Sequence, residues 1–169
     1  MSDILIVGGG IIGLLTSREL ALAGAKVTIV EKQDIGAESS WAGGGILSPL
    51  YPWRYADPVT ALASWGQSIY PELVEDIKNK TGLDPEIEDS GLLVIEPAEI
   101  DIAVSWAKKW QRNLDIIEAK DIHKIEPALA EKQSEKAIWM PEVKQVRNPR
   151  FVNSLRKYLE LLGVDLKEH

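Results

Sequence analysis

The chain has 169 residues, 45% of them apolar, which suits one ordinary globular domain or a small domain with an excursion. Its net charge of -7 and pI near 4.9 disfavour nucleic acid or an anionic membrane as partner and favour a small molecule. The absence of cysteine excludes a disulfide framework, a zinc ribbon and a catalytic thiol within these residues, and the expected compartment is the cytoplasm.

Met1 to Asp3 carry no basic region and lead into a short apolar run, so neither a signal peptide nor a membrane segment is expected. Ile4 to Val7 is a continuous apolar stretch ending at glycine, the pattern of a strand buried on both faces of a parallel sheet. Ile11 to Ala23 follows as a helix with only Arg18 and Glu19 charged, and Gly24 stands at its C-terminal stop. Val27 to Val30 is the second strand. Strand, tight turn, helix and strand within some thirty residues make a βαβ unit.

Residues 33–56 show no periodicity and predict a long loop. Asp57 and Pro58 open a helix with Leu62, Gly66, Ile69, Leu73 and Ile77 on one face, Pro71 kinking or dividing it and Gly82 as its end. Residues 86–96 predict a strand with a turn at Ser90 and Gly91, and 99–113 a helix whose inner face is Ala103, Trp106, Ala107 and Trp110. A short strand near 114–117, a helical turn at 121–125 closed by Pro127, and a strand at 137–140 follow. Asn148 as N-cap and Pro149 as first helical residue begin a last helix, with Phe151, Leu155, Tyr158 and Leu162 in one stripe and Gly163 at its end. Val164 to Leu166 is then a strand. The six tryptophans, at 41, 53, 65, 106, 110 and 139, are dispersed and are assigned to packing.

Gly8, Gly10 and Gly13 spell G-x-G-x-x-G at the first strand-to-helix turn. The first glycine permits the turn, the second lets backbone approach a pyrophosphate, and the third lets helix pack on strand. The N–H groups near Ile11 and Ile12 then face the phosphates at the positive end of the helix dipole. Glu31 ends the second strand eighteen residues after Gly13, where an acid accepts hydrogen bonds from an adenosine ribose and disfavours a 2′-phosphate, hence NADP. FAD and NAD both present ADP to such a turn. The small-residue stretch Ser39 to Ile46 could admit a second phosphate and a flat ring, or be a flexible glycine loop.

The run Gly8 to Gly13, Glu31 with Lys32, the segment Ser39 to Trp53, Glu126–Pro127 and Asn148 to Arg150 together resemble the FAD-dependent amine oxidases of the D-amino-acid oxidase family, within it the branch acting on glycine in thiamine biosynthesis. The resemblance implies an α/β, Rossmann-like FAD-binding fold with an α+β excursion, incomplete relative to the family. Residues 1–57 would form the Rossmann unit and flavin loop, 58–147 the excursion, and 148–169 the return. It implies FAD as cofactor, with Gly8, Gly10, Ile11, Ile12 and Gly13 at the pyrophosphate, Glu31 and Lys32 at the adenosine, Ser39 and Ser40 at phosphate oxygens or ribitol, and Gly44, Gly45 and Ile46 at the flavin ring.

The implied reaction is oxidative deamination of glycine or small D-amino acids with dioxygen as acceptor; a quinone-linked dehydrogenase and an inactive nucleotide-binding half remain alternatives. The flavin carries the hydride chemistry, so no catalytic side chain and no metal site is assigned, and His123 and His169 are poor candidates. The substrate-carboxylate arginine of the family would lie beyond residue 169, and Arg54, Arg147 and Arg150 are read as surface residues. A homo-oligomer, or pairing with a C-terminal half through the edge of the unfinished sheet, is expected.

Overall fold

The computed structural model describes residues 1–129 and 134–169. It is a mixed α/β fold in two compact units. Residues 1–45, 69–87 and 146–169 form the first, and 46–68 with 88–145 form the second.

The first unit is built on a three-stranded parallel sheet of β1 (Ile4–Val7), β2 (Val27–Glu31) and β8 (Asp165–Glu168), in the order β1-β2-β8. Ile4 pairs with Val27, and Thr28 with Asp165. Helix α1 (Ile11–Leu22) links β1 to β2 and packs on α6 (Asn148–Leu161), which runs into β8. Gly24 at φ +92° ends α1 as its position predicts. Leu14, Ile29, Leu155 and Leu159 are completely buried and form the centre of this unit, because apolar residues at helical spacing on α1 and α6 meet the apolar centre of β2. The expectation that β1 is buried on both faces is corrected. Ile4 and Ile6 are half-buried, whereas Leu5 and Val7 are 61% and 83% exposed, since β1 is an edge strand with one face uncovered.

The predicted loop over residues 33–56 contains a four-residue helix, α2 (Ser39–Ala42), and a 3-10 turn, Pro52–Arg54; four residues carry too little periodicity to be read from a sequence. Helix α3 (Asp57–Thr81) runs 25 residues with Pro71 inside it, so the helix is not divided there. Pro71 is exposed, and the Gln67 carbonyl that loses its N–H partner can turn to water. Of the face predicted for this helix, Ile77 is buried but Leu62 is 69% exposed.

The second unit centres on an antiparallel sheet in the order β4-β6-β5, made of β4 (Leu92–Val94), β5 (Asp115–Glu118) and β6 (Lys136–Met140). The predicted strand over 86–96 is two short pieces, β3 (Ile87–Glu88) and β4. They are separated at Gly91, where an added Cβ would overlap the Trp139 ring. Helix α4 (Ile100–Trp110) turns Ala103 and Ala107 inward as its spacing predicts, and Gln111 in the left-handed region ends it. Trp53, Val94, Ala103, Ile138, Met140 and Val143 form the core, with Trp106 packed against it and edge-on to Trp53. Helix α5 (Ala119–Ile125) fills the predicted turn at 121–125, and β7 (Gln145–Val146) is too short to be foreseen.

Candidate functional site

The glycine-rich turn lies between the C-terminal end of β1 and the N-terminus of α1, where a parallel sheet places its ligands. Gly8 has φ +107°, a region costly for any residue with a Cβ, and its N–H donates to the Val30 carbonyl at 2.8 Å. A Cβ on Gly13 would overlap the Gly8 carbonyl oxygen, so the first turn of α1 sits directly on the end of β1. No acidic side chain occupies the first turn of α1, which leaves its positive dipole end uncompensated by the helix itself.

Glu31, at the end of β2, lies beside this turn. Its Oε2 accepts the Gly9 N–H at 2.7 Å and its Oε1 the Gln33 N–H at 3.1 Å. The Gly9 bond, joined by those from Gln33 and Lys32, holds the Glu31 carboxyl below its ordinary value, so it is ionised and keeps lone pairs free for hydroxyl donors. Lys32 is exposed and paired with Glu38 at 2.9 Å.

Helix α2 brings Ser40 to the same turn: its Oγ accepts the Ile11 N–H at 2.9 Å, and a Cβ on Gly10 would lie 3.2 Å from it. The hydroxyl proton of Ser40 stays available to an acceptor. Ser39 and Gly44 are exposed, as is Ile12. Gly45 adopts φ +73° and packs on the Val146 carbonyl, to whose N–H its own carbonyl accepts at 2.9 Å. Ile46 is the first residue of the second unit, where it bridges Gln145. Within the first unit the fold therefore gathers Gly8 to Gly13, Glu31 and Ser40 around one turn, where Gly8 faces open space and Gly9 and Gly13 let the backbone pack closely. These residues fit the pyrophosphate and ribose of a dinucleotide.

Two residues at this site escape sequence reasoning. Gly9 is any residue in the fingerprint, yet its N–H fixes Glu31 and its Cβ would approach Ile35 to 2.8 Å; the run of three glycines is the signal. Asn148 is read as a helix cap. Arg147 is the N-cap and Asn148 the first residue of α6, and the Asn148 carboxamide packs against Gly43 instead, where a Cβ would come within 2.6 Å.

Arg147 and Arg150 both pair with Glu86, and Arg54 pairs with Glu99, so all three are held by surface carboxylates. Among the described residues no group of three or more potential metal ligands occurs, and no helix is long and apolar enough to cross a membrane.

Residues 3–169 match the FAD dependent oxidoreductase family, DAO. The chain is 47% identical over 157 residues to a glycine oxidase of Pseudomonas aeruginosa, covering 93% of this chain and 43% of that protein. With a glycine oxidase of Pseudomonas putida it shares 44% over 168 residues, covering 99% and 46%. A bifunctional protein ThiO/ThiG of Trichormus variabilis is 32% identical over 98% of this chain and 26% of its own length. Among solved structures, glycine oxidase from Bacillus cereus superimposes with a TM-score of 0.90 at 28% identity, over 99% of this chain and 46% of that one. The chain thus spans about half the length of the glycine oxidases it matches, and its fold is that of their N-terminal part. From its residues 3–169 the chain belongs to the FAD dependent oxidoreductase family, DAO.

Proposed function

We propose that this chain holds FAD and forms the N-terminal half of an enzyme of the glycine oxidase type, which oxidatively deaminates glycine or small D-amino acids in thiamine biosynthesis. The observation that carries this reading is the β1–α1 turn, closed by Gly13 on the Gly8 carbonyl and flanked by an ionised Glu31. Support for the substrate comes from the likeness to glycine oxidases, and for the pathway from the ThiO/ThiG relative.

Gly8, Gly10, Ile11, Ile12 and Gly13 hold the pyrophosphate, the glycines by letting backbone come close and the start of α1 by its positive dipole end, while the Gly8 and Ile11 N–H groups stay with Val30 and Ser40. Glu31 accepts from the ribose hydroxyls, and a 2′-phosphate there would meet a like charge. Lys32 borders the adenosine. Ser39 and Ser40 donate to phosphate oxygens or ribitol, and Gly44, Gly45 and Ile46 present backbone and a small apolar surface to the flavin ring. When bound, the flavin would supply the hydride acceptor for the amine, with dioxygen as the final oxidant. The chain's own share is to fix that ring, and no proton transfer is assigned to its side chains. The amino-acid carboxylate is left to the other half of the enzyme. The cytoplasm suits a chain with no cysteine.

A second feature bears on whether the chain works alone. β8 reads Asp-Leu-Lys-Glu and guards its edge with charge, whereas β1 reads Ile-Leu-Ile-Val and is open on one face. The remaining half docks on β1, and the chain alone binds nucleotide without turnover. The test is a peroxidase-coupled assay of the chain together with that half: glycine-dependent peroxide is expected. Reduction of an artificial acceptor without peroxide would replace the oxidase with a quinone-linked dehydrogenase.

A further inference from the structure

A second acid stands beside Glu31 in the sheet of the first unit. β2 and β8 pair in parallel with Glu31 opposite Glu168, and paired residues of neighbouring strands point to the same face. Two carboxylates side by side repel, so each needs donors of its own. Glu31 takes the Gly9 and Gln33 N–H groups, and Glu168 Oε1 accepts the Ile35 N–H at 2.8 Å. Arg156 of α6 braces Glu168 with both terminal nitrogens, Nη1 to Oε1 at 3.0 Å and Nη2 to Oε2 at 2.7 Å, while its Nε lies 3.6 Å from Glu160. The Glu168 side chain is 18% exposed, so this forked pair is better shielded than one in open water.

The residue that Glu168 holds reaches the glycine-rich turn. Ile35 is buried, and it packs on Gly9 so closely that a Cβ there would come within 2.8 Å of Ile35 Cγ1 and 3.2 Å of the Glu31 side chain. Next in the chain, Gly36 at φ +74° lies against Val152 of α6, which a side chain at Gly36 would overlap. The segment then enters α2, whose Ser40 receives the Ile11 N–H. Residues 33–40 thus touch the turn at Gly9 and at Ile11, and between those contacts they are pinned by Glu168 and Val152.

We propose that Glu168, braced by Arg156, is a positioning residue of the nucleotide site: by holding the Ile35 N–H it seats Ile35 against Gly9 and keeps the Gly9 N–H aimed at the Glu31 carboxylate. This role rests on the reading that the β1–α1 turn holds FAD. The effect of Glu168 reaches the ribose through Ile35, Gly9 and Glu31, so the return segment α6–β8 becomes part of the site's support.

The test compares the full chain with Glu168→Ala and Glu168→Gln by two measurements. The first is amide hydrogen exchange without nucleotide, followed by NMR. Alanine removes the acceptor of Ile35, and exchange about tenfold faster is expected at Ile35 and at Gly9, with no change at Ile29 in the buried centre of the sheet. Glutamine keeps an acceptor and is expected to restore protection at both. Unchanged Gly9 protection in Glu168→Ala, or a loss shared equally by Ile29, overturns the proposal. The second measurement is FAD affinity by titration, with Kd about tenfold weaker for alanine and close to the parent for glutamine. Alanine binding as tightly as the parent overturns this role alone, whereas a parent that takes up no FAD overturns the FAD reading and this role with it. Should Glu168→Ala fail to fold, Arg156→Ala, which leaves the acceptor unbraced, decides by the same readouts.

Discussion

Gly13 has no space for one methyl group, because a Cβ there would overlap the Gly8 carbonyl on which the first turn of α1 rests. Gly13→Ala must therefore push helix from strand. Overpacking of this kind costs about 1–3 kcal/mol, and the variant is expected to melt several degrees lower and to retain less FAD, read by thermal unfolding and by the flavin absorbance of the purified protein. An alanine variant that melts and binds like the parent would mean that the turn does not pack as described. At Glu31 the direction of titration makes a separate prediction. Its carboxyl is held below the ordinary 4.5 by the N–H groups of Gly9, Gln33 and Lys32, so the ionised form is the one that the fold stabilises. That contribution is fully present above about pH 4.5 and disappears as pH falls through the lowered value. Glu31→Gln should flatten this part of the acid limb in a plot of stability against pH, and should weaken FAD binding at neutral pH by loss of the ribose acceptor. An unchanged acid limb would show that the Gly9 and Gln33 bonds do not persist in solution.

Helices α1, α3 and α6 meet at Asp76. Its Oδ2 accepts from Arg18 at 2.6 Å and from the Tyr158 hydroxyl at 2.9 Å, while the Arg18 guanidinium lies 5.5 Å from the centre of the Tyr158 ring. Burial raises the Asp76 carboxyl, but the Arg18 and Tyr158 bonds outweigh it and the net shift is downward. Asp76→Ala leaves Arg18, whose side chain is 12% exposed, with the exposed Glu19 as its carboxylate partner. A loss of about 1.5–3 kcal/mol is expected in denaturant unfolding, against near-parent stability for a control at exposed Glu72. Much at this scale is legible in sequence. The G-x-G-x-x-G turn and Gly24 place α1, and the Phe151, Leu155 and Tyr158 spacing places the buried face of α6. Local signals fail where partners lie far along the chain. Asn148 has the residue type of a cap but packs against Gly43, Pro71 reads as a break but sits on the solvent side of α3, and Leu5 and Val7 read as core but lie on an uncovered face. The Asp76 cluster links positions 18, 76 and 158 and leaves no periodic trace at all.

At the scale of the molecule, the first unit presents an apolar strand at one edge of its sheet, and the proposed complex depends on it. Val7→Lys should leave the unit folded, since Val7 is 83% exposed, yet weaken association with the remaining half. Burying an unpaired lysine costs more than ~1.4 kcal/mol, so the loss is about tenfold or greater, measurable by titrating one half into the other. Undiminished association would place the docking surface elsewhere. Docking matters only if this chain brings the cofactor. The most direct test of that claim is the visible absorption spectrum of the purified chain after incubation with FAD and removal of the excess, with acid release and chromatography of what remains bound. One FAD per chain is expected, released intact by acid and not displaced by NAD. Failure to take up FAD by folded chain that binds NAD instead would contradict it, and would make the β1–α1 turn a nicotinamide dinucleotide site.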